Sequence, residues 1–171
     1  LDQILARRLQ DGDPGGHMRR ALSHFPVREM ADRIQREYYV PGGKGERTPY
    51  KVMAMHGKNG PREREELCVV ANYVEVFLAR EGHDNPVGIN YLAKIQIPHL
   101  PSIYGAMLAG VGYILMGAGI PVKIPGVLVN CVVVAEKPEY HMQTVSEQDN
   151  RAFSGELRVP TIGIAAGVET D

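Results

Sequence analysis

The stretch from Val87 to Pro125, VGINYLAKIQIPHLPSIYGAMLAGVGYILMGAGIPVKIP, constrains this chain most, because strand, polar turn, helix and second strand follow one another without a gap. Val87 to Leu92 and Tyr113 to Met116 are short apolar runs, which suits strands buried on both faces of a parallel sheet. Between them Leu100, Ile103, Tyr104, Met107 and Leu108 recur at helical spacing, and Pro101 falls in the first turn where proline is tolerated. Each strand runs into polar or glycine-rich sequence, Lys94-Ile95-Gln96 after the first and Gly117-Ala118-Gly119 after the second. Ligands of parallel α/β proteins bind at the carboxyl ends of strands, so this β-α-β unit is expected to present a site.

Upstream, Leu1, Ile4, Leu5 and Leu9 form the apolar stripe of a short helix that Asp11 to Gly16 ends with turn chemistry. His17 to Leu22 reads as a further helical turn, and Val27, Met30, Ala31, Ile34 and Tyr38 as a third helix. Pro41-Gly42-Gly43-Lys44-Gly45 has a lysine among glycines but neither the P-loop pattern nor a preceding strand, so a mobile loop is the better reading than a phosphate cradle. PYKVMAM, Pro49 to Met55, is expected to be the first core strand, with His56 to Pro61 as its carboxyl-end loop. Arg62 to Glu81 follows as the longest helix, with Leu67, Val70, Ala71, Val74 and Leu78 inward and Arg64, Glu65, Glu75 and Arg80 in solvent. Alternation of strand and helix predicts a parallel sheet of at least three strands with right-handed crossovers.

At 171 residues the chain suffices for one domain with a sizeable core but is short for a complete eight-stranded barrel of roughly 250 residues. Most Arg and Lys fall in the first 64 residues, without the interleaved aromatics of a nucleic-acid surface, so a solvated helical face is the ordinary explanation. Cys68 and Cys131 lie in apolar surroundings without ligand-like spacing, which favours reduced core thiols in a cytoplasmic protein over a disulfide or a metal site. No segment reads as a signal peptide or a membrane span. The lack of an initiator Met, and an ending at Glu169-Thr170-Asp171 where a helix should begin, point to a chain cut at both ends.

Three strand ends, Met55-His56, Asn90-Tyr91 and Gly117-Ala118-Gly119, would share one end of one sheet. Neither a nucleophile elbow, nor HExxH spacing, nor a GxGxxG fingerprint opening a helix occurs there. What remains is a flat, polar, glycine-lined surface. Glycines admit a planar ring, Asn90 offers a donor and an acceptor to an imide-like edge, and Met55 gives soft apolar contact, as an isoalloxazine ring requires. The structural alternatives are an Asn bonded to backbone at a bulge, glycines that only shape a turn, and a core Met. His83 and His99 read as loop or surface residues, and Lys94 either as a solvated lysine or as a charge facing a reduced flavin or substrate anion.

GHDNPVGINYLAKIQIPHLPSIYGAMLAGVGYILMGAGIPVKIPGVL, with ANYVEVFLAREGHD upstream, closely resembles the nitronate monooxygenase family, formerly called 2-nitropropane dioxygenases, which includes enoyl-reductase-like members. The likeness covers about residues 1–128: a helical lead-in over 1–48, PGGK within it, and β/α units over 49–128. It implies a TIM barrel, here a partial one, that binds FMN non-covalently and oxidises alkyl nitronates with O2 to a carbonyl compound and nitrite. It further implies cofactor contacts from Met55, Asn90, Gly117, Ala118 and Gly119. A flavin-dependent enoyl reductase and a non-catalytic half-barrel are the alternatives. In the family a base histidine sits in a GGH segment well downstream, and no GGH follows MGAG in this chain, so no catalytic base is assigned. Residues 129–171 form a divergent tail, in which VPTIGIAAGVETD is similar to a phosphate-binding barrel strand and to a phrase of ketopantoate hydroxymethyltransferase-like barrels, hinting at a flavin-free transferase.

Overall fold

A computed structural model describes residues 1–57 and 60–118, together with 124 and 128. The architecture is mixed α/β: α1 (Asp2–Gln10), a 3-10 turn (Pro14–Gly16), α2 (His17–Ser23), α3 (Arg28–Tyr38), α4 (Arg62–Ala79), β1 (Gly88–Leu92), α5 (His99–Leu108) and β2 (Tyr113–Gly117).

Helix α4 is the centre of the molecule. Its sequence is apolar on more than one side, which suits a helix enclosed by others, and α1, α2, α3 and α5 all pack on it. Leu67, Val69, Val70, Val74 and Val76 are buried there with Leu5, Leu9, Leu22, Phe25 and Ile34 of the lead-in. Phe25 meets Tyr73 edge-on with ring centroids 5.0 Å apart, and the Tyr73 hydroxyl donates to the His24 carbonyl at 2.9 Å. Glu66, 2% exposed, pairs with Arg33 of α3 and with Arg62 at 2.8 Å, so a buried carboxylate ties α3 to α4. The expected stripe is therefore too narrow, and Arg64, expected in solvent, is buried. In α1 the reverse holds: Leu5 and Leu9 are buried while Leu1 and Ile4 stay exposed.

The segment Pro41 to Gly45 is tied to the end of α1 through Gly43 and Lys44. The Lys44 amide donates to the Gln10 carbonyl at 2.7 Å, and the backbones approach so closely that a Cβ on Gly12 would lie 2.6 Å from the Gly43 nitrogen. Lys44 Nζ rests 4.2 Å from the centre of the Tyr50 ring, which gives its charge a partner.

Strands β1 and β2 pair in parallel, with Gly88 opposite Tyr113, Asn90 opposite Leu115 and Leu92 opposite Gly117, and α5 makes the crossover as the spacing predicts. Ile89, Tyr91, Ile114 and Met116 turn towards the helices, where Leu100, Ile103 and Ile124 form a second small core. The opposite face is bare, with Tyr113 63% and Leu115 54% exposed, so burial on both faces does not hold among the described residues. Pro49 to Met55 is not a strand either: Val52 is 92% exposed, and the Lys51 amide donates to the Gln10 side chain at 2.8 Å instead of joining a ladder. Two strands are thus described where three were expected. The run from Val127 to Ala135, Leu128 apart, and the expected strand Arg158 to Gly167 lie outside the described residues. No described helix is long and apolar enough to cross a membrane.

Candidate functional site

Beside the carboxyl end of β1 lies a cavity of about 1040 Å³, walled by β1, the loop Lys94–Pro98 and the amino-terminal turns of α1, α4 and α5. Clefts that take small molecules run to about 300–1,000 Å³, so it has room for a cofactor-sized ligand. Two of the expected cofactor contacts, Met55 and Asn90, line it, as does Lys94. Met55 is 86% exposed, so it is not a core methionine. Gly117 adjoins through Asn90, since a Cβ there would stand 3.9 Å from Asn90 Oδ1. Ala118 follows at φ 59°, a left-handed turn that any L side chain adopts at a cost. Gly119 lies outside the described residues.

The cavity wall also gathers residues from distant positions in the chain. Arg64, Cys68 and Asn72 occur every fourth residue of α4, which places them on one side of the helix, and all three line the cavity. The Asp2 carboxylate accepts from Arg64 and from His56 Nε2, both at 2.7 Å, and from the Gln3 amide through Oδ1. Burial of Asp2 works against its charge, but the His56 hydrogen bond and the Arg64 guanidinium prevail and hold its carboxyl well below the usual range.

Deeper in, the Cys68 thiol lies 3.2 Å from Ser102 Oγ, and the Tyr91 hydroxyl lies 2.9 Å from Asn72 Oδ1 and 3.0 Å from the Ser102 carbonyl. Burial pushes the Cys68 thiol up to about 11 despite the Ser102 hydrogen bond, so it stands protonated at neutral pH. Burial likewise raises Tyr91 and lowers His99, although the His99 bond to the Leu92 carbonyl, 2.9 Å long, opposes that fall. His99 is thus a buried latch between α5 and the end of β1 rather than a surface residue. His83, exposed at the carboxyl end of α4, bonds the Ala79 carbonyl and does not line the cavity.

Asp2, His56 and Cys68 bring one ligand atom each to within 4.8 Å of one another. Sequence spacing missed this trio because its members come from α1, the segment before α4, and α4 itself. A polar residue every fourth position on an apolar helix is the one signal that could have drawn attention to Cys68. A GGH tripeptide does occur at Gly15-Gly16-His17, but it opens α2 with His17 exposed and bonded to Arg20 at 3.1 Å, away from the cavity lining.

No protein-family model matches the chain, and neither a curated protein nor a solved structure matches it at a significant level.

Proposed function

We propose that the chain belongs to an FMN-dependent oxidoreductase of nitronate monooxygenase type, a partial TIM barrel whose cavity receives the flavin ring. The observation that carries this reading is the meeting of Met55 and Asn90, 35 residues apart by number, in one cavity beside a strand's carboxyl end, with Gly117 against Asn90. The lining fits the ring: Met55, Ile95 and Ile97 are apolar walls, and the Asn90 carboxamide has both a donor and an acceptor for an imide edge. Bound FMN supplies the electron-accepting ring for oxidising a nitronate with O2. The chain's share is to orient that ring through Asn90 and to face developing negative charge with Lys94, which forms no ion pair among the described residues. Ala118 and Gly119 follow Gly117 and belong to the same proposed turn.

The test is the visible spectrum of the full chain after FMN addition and desalting. Retained flavin absorbance that weakens in Asn90→Ala supports the reading, whereas a colourless wild-type protein overturns cofactor binding by this chain. A second reading, a half-barrel without catalysis that folds against another chain, is favoured by the bare face carrying Tyr113 and Leu115. A reducing, cytoplasmic location suits either reading, since buried Cys68 is a free thiol.

A further inference from the structure

We propose that Asp2, His56 and Cys68 form a binding site for one divalent cation of the zinc class, opening on the same cavity but independent of any flavin. Three different ligand types converge from α1, the segment before α4, and α4, with their donor atoms within 4.8 Å of one another. A tetrahedral Zn2+ holds sulfur at about 2.3 Å and nitrogen or oxygen at about 2.0–2.2 Å, which sets its ligand atoms roughly 3.3–3.6 Å apart. The widest pair of the trio therefore closes by up to about 1 Å around an ion, while the Asp2–His56 pair, 2.7 Å apart, opens. Asp2, His56 and Cys68 all border the cavity, which leaves the fourth position open to water or a ligand.

The donor set selects among metals. One thiolate and one imidazole suit zinc and cobalt, and a single carboxylate is a poor match for calcium or magnesium, which take mostly oxygen. Arg64 shares the Asp2 carboxylate at 2.7 Å and brings a positive charge beside the ion, so the site is of modest affinity and depends on its soft ligand. Binding releases the thiol proton of Cys68 to solvent and forms the metal–sulfur bond in its place, and His56 shifts to the neutral tautomer protonated at Nδ1, giving up its Nε2 hydrogen bond to Asp2 so that Nε2 binds the ion, with no change of oxidation state. Ser102 Oγ, 3.2 Å from the Cys68 sulfur, then becomes a hydroxyl donor to the bound thiolate.

The experiment is titration of the chelator-treated full chain with Co2+, followed by absorbance, with folding of each variant checked by far-ultraviolet circular dichroism. One equivalent is expected to produce a near-ultraviolet thiolate-to-cobalt band together with visible bands of tetrahedral intensity, and Zn2+ is expected to displace both. Cys68→Ser should lose the near-ultraviolet band while Cys131→Ser and His83→Ala keep it. His56→Ala should weaken Co2+ binding by at least about tenfold, the lower end of the loss seen when even an outer partner of a ligand is removed. Folded wild-type protein without the bands overturns the site, as does a band that survives Cys68→Ser or vanishes in Cys131→Ser.

Discussion

Cys68 and Asn72 sit one turn apart on α4, and both belong to a polar seam that the rest of the helix surrounds with Leu67, Val69, Val70 and Val74. Position decides the chemistry of the thiol. Burial lifts it from an ordinary 9.0 to about 11, so at neutral pH its thiolate is about 100-fold scarcer than that of an exposed cysteine. Because the thiolate is the species alkylated, labelling of the Cys68 peptide in chelator, followed by mass spectrometry, should be at least that much slower in the folded chain than in urea. The rate should also keep rising with pH towards 11. Labelling at the unfolded rate would show that the α4–α5 seam does not enclose the sulfur. None of this was legible in the sequence beyond the expectation of a reduced core thiol, because a hydropathy stripe records which side is apolar and not which polar atoms face each other across an interface. Met55 and Asn90 both line the cavity, but only Asn90 lies on the strand from which it was inferred; Met55 was reached through a strand that the structure does not contain. Asp2 and Arg64 were not legible as site residues, since their pairing depends on how α1 crosses α4.

Among the elements, the unit β1-α5-β2 follows its sequence closely because the helix has a clean 3.6 period and the strands are short apolar runs, with glycine and proline between. PYKVMAM does not, although its composition suits a strand. A strand needs a partner ladder, and this segment is held by helices instead: the Gln10 side chain of α1 takes the Lys51 amide and Glu37 of α3 takes its ammonium, and neither helix offers an extended edge. The tightest joint lies between α4 and α5. A Cβ on Gly105 would stand 2.0 Å from the Val69 carbonyl oxygen, so the glycine is what lets the two backbones approach. Alanine's higher helix propensity is worth about 1 kcal/mol, too little to offset forcing two packed helices apart. Gly105→Ala is therefore expected to destabilise by about 1–3 kcal/mol or more, read as a lower urea midpoint at unchanged m-value. A midpoint equal to or above wild type would mean that α5 does not dock on α4 at this depth.

At the scale of the whole molecule, the helices of the lead-in are better covered than the sheet they accompany. Parallel strands are ordinarily buried on both sides, and a two-stranded sheet is marginal without cover, yet Tyr113 and Leu115 of β2 and Leu92 of β1 are 63%, 54% and 41% exposed. These side chains share one face by register, with Asn90 in their midst opposite Leu115. In a closed barrel that face would be the interior, so the bare face is what either a flavin-bearing barrel or a half-barrel awaiting another chain presents in this portion. Because the stability of the described portion comes from α4 and its neighbours, polar substitution on this face should not unfold it. Tyr113→Thr with Leu115→Thr puts β-branched residues in the strand and removes the two most exposed apolar side chains of this face. The double variant is expected to bind markedly less of an apolar fluorescent dye such as ANS than wild type, with a thermal midpoint within a few degrees of it. A large drop in the midpoint would instead mean that both side chains are packed in solution, and the face would then be a covered core layer rather than an open one.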